Sequence, residues 1–322
     1  MTTFIVRRSL WMIVVLFAIS VLVFLIFFAT PGVDPARRLA GRNPNAATIA
    51  QIKHAFGLDR PLPIRYALMM KHLFISRDLI SYSTQTKVIP ELLAATPVTL
   101  SLVLGAALIW VVVAVLVGVA AAVLRGTFVD PLLMILALIG ISMPVFWLGE
   151  MANLVTQSRF HDTFAFHWVP PLGYTPLTEH PISWFQHLII PWIVLSVLYI
   201  GFYARVLRGN LIESQNEDFV RTARAKGLSE RRVLLRHTLR TSMIVFVSLF
   251  ALDFAALVGG GALLTEVVFG LPGVGYLTYQ SLQGLDLPVI MATVIYGAFF
   301  IIVASALVDV VYAVLDPRIR PA

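Results

Sequence analysis

The sequence contains no cysteine. That absence removes disulfides, thiolate zinc sites, iron–sulfur ligation and cysteine nucleophiles at once, and it says little about compartment. Charge is nearly as scarce. Asp, Glu, Lys and Arg make up 13% of the 322 residues, about half of the roughly 25% that soluble domains carry. With 59% hydrophobic residues, the chain is too apolar to be dissolved in water throughout. Two chemical signatures are missing as well. No Gly-x-x-x-x-Gly-Lys-Ser/Thr phosphate loop occurs, so ATP hydrolysis is not expected of this chain. The seven histidines show no His-Glu-x-x-His or paired metal spacing, so no metal site is expected; His161, His167, His180 and His187 fall irregularly in one loop and read as solvated. Gly273-Val274-Gly275 is not a dinucleotide fingerprint either, because Thr278 stands where the third glycine belongs.

What is present is a set of long apolar runs. A helix needs about 20 mostly apolar residues to cross the hydrocarbon core at 1.5 Å per residue. Six segments meet or approach that length: 10–29, 98–124, 131–154, 188–207, 243–268 and 289–314. The second is long enough to require tilt or an interfacial end. The first follows Arg7 and Arg8, as a signal peptide would, but its apolar stretch is about twice a signal core and no small-x-small pattern follows Ala29. It reads as an uncleaved anchor. The expectation is an all-α polytopic membrane protein with six transmembrane helices.

The formal charge of +7 fits a membrane protein with basic residues gathered on the cytoplasmic side. An even number of spans puts both termini on one side. Placing them in the cytoplasm also places Arg7, Arg8, Arg125, the nine basic residues between Arg205 and Arg240, Arg318 and Arg320 there, 14 of the 24 in all. The short external loops 158–187 and 269–288 then hold only Arg159. This is the bias of the positive-inside rule. The nine basic residues of segment 30–97 lie outside, in a loop beyond the roughly 60 residues over which the rule counts charge.

Four regions follow: a cytoplasmic start and first span, 1–30; an extracytoplasmic lobe, 31–97; five helices, 98–314, with a cytoplasmic segment at 208–241; and a tail, 315–322. The lobe mixes turns (Thr30-Pro31-Gly32, Asn43-Pro44) with a helical pattern near 46–56 that Asn45 caps and Pro61 and Pro63 end. Pro144 and Pro191 fall inside spans, where proline removes a backbone bond and bends the axis. Simple packing and a moving pathway both accommodate them.

The stretch 205–241 holds nine basic and four acidic residues. Asn210 to Lys226 reads as a helix with Glu213, Glu217 and Asp218 in its early part, stopped by Gly227 at the left-handed C′ position. Ser229 then caps a second helix, 230–240, with its acid first and arginines last. Spacing places Phe219, Ala223 and Lys226 on one face, with Val220 and Arg224 beside them. Such a helix lies on anionic lipid, binds nucleic acid, or docks into a partner.

Asp218-Phe219-Val220-Arg221-Thr222-Ala223-Arg224-Ala225-Lys226-Gly227-Leu228-Ser229 resembles the coupling loop of binding-protein-dependent ABC importer permeases, in the form of the dipeptide/oligopeptide branch and its first permease subunit type. The family glycine falls on Gly227 and its second alanine on Ala223; the family's Glu-Ala is Arg221-Thr222 here, as in the peptide branch. The family's downstream proline has no counterpart in 242–245. Ile141 to Gly149 is similar to the branch's third-span motif, and Gly259 to Gly275 to the end of its fifth span and outer loop. Phe56 to Leu62 is similar to an outer loop of the branch, and Leu315 to Arg320 to its tail. The resemblance covers essentially the whole chain, in order. It implies a type I ABC importer permease fold in the bacterial inner membrane, importing short peptides by alternating access. It also implies that Asp218, Phe219, Val220, Arg221, Ala223, Arg224, Ala225, Lys226, Gly227 and Leu228 dock into an ATPase. The implied partners are a homologous second permease, two ATP-binding subunits carrying ATP and Mg, and an extracytoplasmic solute-binding protein. The lipid bilayer is the remaining partner; no nucleic acid and no cofactor in this chain are implied.

Inside the apolar runs, Asp253 is an expensive residue that faces protein or water. Helical spacing puts Asp253, Leu257, Gly260 and Leu264 on one face and Ala255, Gly259, Ala262 and Glu266 on another, with small residues that permit close approach. Asp253, Leu257, Gly260 and Glu266 are candidate residues of a translocation pathway; a bond to a neighbouring helix is the alternative role for Asp253. Two other functions stay open: the same machine carrying nickel or glutathione, and a proton-coupled carrier that uses Asp253.

Overall fold

The computed structural model describes residues 2–28, 36–37, 45–55 and 57–315. The turns expected at Thr30-Pro31-Gly32 and Asn43-Pro44, and the tail motif after Leu315, lie outside them. The principal helices of the described residues are α1 Thr2–Phe28, α2 Ala46–Ala55, α3 Leu62–Met70 with a π-helical continuation Lys71–Ile75, α4 Val88–Val123, α5 Val129–Ser142, α6 Val145–Arg159, α7 Pro181–Ser214, α8 Asp218–Ala225, α9 Glu230–Gly261, α10 Leu263–Phe269, α11 Val274–Gly284 and α12 Leu287–Leu315. Among the described residues there is no strand, only an isolated bridge between Ile80 and Lys87.

Among the described residues five helices, α1, α4, α7, α9 and α12, are long and apolar enough to cross a membrane, and α5 with α6 makes a sixth span when the bent pair is counted as one. The fold is therefore the all-α polytopic one that hydropathy predicts. Hydropathy locates only the apolar part of each helix, and backbone bonding carries it further. Thus α7 extends the 188–207 run to Pro181 and Ser214, and α9 begins at Glu230, well before residue 243.

The third span differs from a plain kinked helix. Helices α5 and α6 meet at 91° across Met143 and Pro144. Met143 is extended (φ −87°, ψ 124°), as a residue preceding proline prefers, and Pro144, itself extended at ψ 131°, stands at the N-cap of α6, where no intrahelical N–H bond is lost. A second interruption falls in the fifth run. Gly260 takes φ 105°, so the single helix expected over 243–268 ends there and α10 starts afresh at Leu263. The two faces drawn through Leu264 and Glu266 assumed an unbroken helix and do not continue past Gly260.

The chain forms two compact units. One comprises the residues up to Thr99, Ala255–Leu263 and those from Pro272 on. Its core joins Val23 and Phe24 of α1 to Met291 and Ile295 of α12, with Leu73 and Leu79 from the lobe. In the lobe Asn45 caps α2 as expected, its Oδ1 accepting the Thr48 N–H at 2.6 Å. His72 Nδ1 bonds Asp78 at 2.7 Å, and that bond chiefly holds the Asp78 carboxyl below the usual carboxylate range. A Cβ on Gly259 would lie 2.7 Å from the Cα of Gly297, so two backbones touch here.

The second unit comprises Leu100–Phe254 and Leu264–Leu271, and its helices are drawn together at glycines. A Cβ on Gly201 of α7 would overlap the Ala137 carbonyl of α5, and one on Gly118 of α4 would sit 2.9 Å from the Ala204 carbonyl of α7. Lipid tails are as apolar as leucine, so close backbone contact and interhelical bonds hold such helices. Trp192 Nε1 of α7 donates to the Ser101 carbonyl of α4 at 2.9 Å. Arg208 of α7 grips both oxygens of Asp130 at the start of α5, each at 2.6 Å.

In the first unit, Asp286 is 2% exposed. Leu285, left-handed at φ 49°, turns the chain from α11 to α12. The turn aims the Asp286 carboxylate at the lobe, where it accepts the Tyr82 and Ser83 N–H groups at 3.0 Å each and the Ser81 hydroxyl. Burial, with the Asp286 charge adding to it, pushes the neighbouring Tyr82 hydroxyl up to about 12. Orphaning buried donors costs about 1–3 kcal/mol each. Asp286→Ala is therefore expected to lower the stability of the detergent-purified protein by about 3 kcal/mol in total, with Asp286→Asn in between. Thermal unfolding of the three proteins checks this; an unchanged midpoint for Asp286→Ala contradicts it.

Candidate functional site

The segment between α7 and α9 is a closed hairpin within the second unit. Its base is fastened where Ser214 Oγ, the last residue of α7, meets Ser242 Oγ of α9 at 3.3 Å. Helix 210–226, expected as one piece, is two: α7 stops at Ser214 and α8 begins at Asp218 after a turn over Gln215 to Glu217. Glu217 is extended (ψ 150°) and its carbonyl accepts the N–H groups of Val220 and Arg221 at 3.0 and 3.2 Å.

The end of α8 is a Schellman motif. Gly227 N–H donates to the Arg224 carbonyl at 2.9 Å and Leu228 N–H to the Ala223 carbonyl at 3.3 Å, satisfying carbonyls that the helix end leaves open. Gly227 has φ 77°, and a Cβ there would touch nothing within 4 Å. Its requirement for glycine is thus conformational: a left-handed backbone costs an ordinary L residue about 1–2 kcal/mol. Arg224 adds a bidentate pair to Glu230 across the turn, at 2.9 and 3.1 Å. Exposed pairs contribute about 0–1 kcal/mol, so the glycine turn outweighs the ion pair. Ser229 stands at the N-cap of the following helix as expected, but its carbonyl, not its hydroxyl, takes the Arg232 and Val233 N–H groups.

One expectation about this helix is corrected. Spacing groups Ala223 with Phe219 and Lys226, but Ala223 is 5% exposed and packs with Val220 on Val233, with Leu228 against them. Burying the two valines contributes about 2 kcal/mol each, which fixes the roll of α8. The outward edge is Phe219, Thr222 and Lys226, all exposed, spaced i, i+3, i+7. Phe219 is 41% exposed despite its size. Arg221 and Ala225 are exposed beside this edge. The hairpin thus presents an exposed aromatic ring and an exposed ammonium group side by side.

The other acids of interest are scattered. Asp253, half-buried on α9 in the second unit, accepts the Tyr203 hydroxyl of α7 at 2.6 Å. This is the interhelical bond foreseen as one of its two roles. Leu257 is buried and Gly260 half-buried, both in the first unit; Glu266, 0% exposed, lies in the second. Sequence reasoning missed Arg208–Asp130 and the aromatic cluster around Tyr203, in which Trp110 stacks on Tyr199 at 4.6 Å. A doubly apolar run with one isolated acid and one isolated arginine was the available signal for the ion pair.

Two family descriptions match the chain. That of the binding-protein-dependent transport system inner membrane component covers residues 114–321, and that of the N-terminal part of such membrane components covers residues 1–103. A Brucella abortus protein named as a peptide transport system permease is 35% identical over 323 residues, 99% of each chain. A Sinorhizobium fredii protein named as a peptide ABC transporter permease is 34% identical, over 99% of this chain and all of its own. A Salmonella typhimurium protein named as a glutathione transport system permease is 36% identical over 329 residues, 99% of each. Full-length similarity of this kind, on a chain of five to six apolar spans with a pinned polar hairpin, leads to one assignment: the chain belongs to the family of binding-protein-dependent transport system inner membrane components and is a multi-pass protein of the bacterial inner membrane.

Proposed function

We propose that this chain is the permease half of an ATP-driven importer of short peptides, with both termini and the 218–228 hairpin in the cytoplasm. The observation that carries the reading is the hairpin itself: α8 is rolled inward on Val220 and Ala223, closed by Gly227, and leaves Phe219 and Lys226 exposed. A separate ATP-binding subunit would hold that edge. Asp218, Arg221, Arg224, Ala225 and Leu228 complete the docking segment. ATP and Mg would reside on two such subunits, and a homologous permease and an external solute-binding protein would complete the assembly. The names of the relatives support the cargo class. Glutathione is itself a tripeptide, so the glutathione permease falls within the same class of solute.

Coupling of this kind is mechanical. ATP-driven closure of the motor subunits would move the hairpin; its fastening at Ser214 and Ser242 passes that movement to α7 and α9 together. The gripped element must be stiff, and the glycine turn supplies that stiffness.

Gly227→Ala is expected to leave insertion and subunit assembly intact, because no atom obstructs the added methyl. It should reduce ATP-driven uptake about tenfold, in line with the ~1–2 kcal/mol cost of a left-handed alanine. Gly227→Asn, which tolerates that conformation better, should fall between. Uptake and ATP hydrolysis measured together in proteoliposomes check this. Normal uptake by Gly227→Ala would count against the docking role.

A further inference from the structure

The carboxylate of Asp253 is only half provided for. Its Oδ2 accepts the Tyr203 hydroxyl, and its Oδ1 has no partner among the described residues. No arginine or lysine among them pairs with it. An ionised carboxylate within a bilayer is expensive, and a single hydrogen bond offsets only part of that cost. The free oxygen therefore calls for water or a cation.

The surroundings select among cations. Trp110 and Tyr203, each 0% exposed, form a floor. Tyr199 stacks on Trp110 at 4.6 Å, Phe250 lies 5.7 Å from Trp110, and Phe254 lies 5.6 Å from Phe250. Phe250, Asp253 and Phe254 share a face of α9 by i, i+3, i+4 spacing. Tyr199, Phe250, Asp253 and Phe254 are all half-buried, so the acid and its aromatic rim keep an open side. A hard divalent ion wants six or more oxygens, and this cluster supplies a single carboxylate and phenols. Aromatic faces beside a carboxylate instead suit an organic ammonium, held by charge and by the ring quadrupoles.

We propose that Asp253, positioned by Tyr203 and rimmed by Tyr199, Phe250 and Phe254, binds the primary α-ammonium group of the peptide in transit. The proposal rests on the peptide reading above and adds to it a group on the cargo and a residue that recognises it.

The test compares the wild-type transporter and Asp253→Asn, each with its ATP-binding subunits in proteoliposomes, using the same external binding protein so that its own selectivity cancels. The probes are trialanine, N-acetyl-trialanine and N-acetyl-Ala-Ala-Lys. Wild type should favour trialanine over its acetylated form. Asp253→Asn should lose about tenfold of trialanine uptake, the effect of a lost charged hydrogen bond, and little of the acetylated peptide, so that the preference collapses. An assembled Asp253→Asn that keeps the preference, or loses both peptides equally, overturns the proposal. So does a wild type that takes N-acetyl-Ala-Ala-Lys as well as trialanine, which would place the recognised ammonium on a side chain. Should Asp253→Asn fail to assemble, Tyr203→Phe must still narrow the preference, and an unchanged preference overturns the proposal. If wild type moves no peptide, the cargo reading itself has failed. The ammonium site is then decided by NMR binding of butylammonium to the two complexes, equal binding being the contradicting result.

Discussion

Helices in a bilayer gain little by burying apolar surface against one another, because lipid already solvates that surface; they must touch closely or bond. In this chain that constraint falls on glycine. Gly201 and Gly118 bring α7 against the backbones of α5 and α4, and Gly105 lies under the Trp192 indole. Gly259 meets Gly297 backbone to backbone in the other unit. Side chains at these places would force the helices apart, so the packing of each unit depends on them. The same close contacts make α7 the firm member from which the hairpin projects.

Beyond the apolar part of that helix the chain is tightly held. Arg208 is tied to Asp130 by two short bonds before α7 ends. The turn to α8 is then held by Ser214 and Ser242, by the Val220, Ala223 and Val233 contact, and by the Gly227 turn. Each is modest alone. Together they define both the position and the roll of an eight-residue helix, which is too short to be stable in isolation. Under the proposed function, this stiff element at the end of a glycine-packed helix is the part that an ATP-binding subunit would hold.

Much of this was legible in the residues. Apolar run length predicts the spans, Asn45 its helix cap and Gly227 the left-handed turn, because each depends on local chemistry alone. Other features depend on distant backbone. The 91° bend is signalled by Pro144, but a proline alone does not specify its size. The burial of Asp286 depends on N–H groups about 200 positions earlier, at Tyr82 and Ser83. The roll of α8 was misjudged at Ala223, since a small apolar residue reads equally well inward or outward until Val233 is in place. The face drawn from Asp253 to Leu264 failed at Gly260 for a related reason: glycine permits a helix to continue or to break, and the neighbouring contacts decide.

The absence of cysteine makes the central claim directly measurable. A single Phe219→Cys substitution puts one thiol on the exposed edge of α8, and a short thiol–amine cross-linker can report what lies against it in the purified complex. The account predicts a cross-link to an ATP-binding subunit whose yield changes when ATP is added. A complex that moves solute while that thiol reaches lipid or water alone, with no ATP-binding subunit attached, would contradict it.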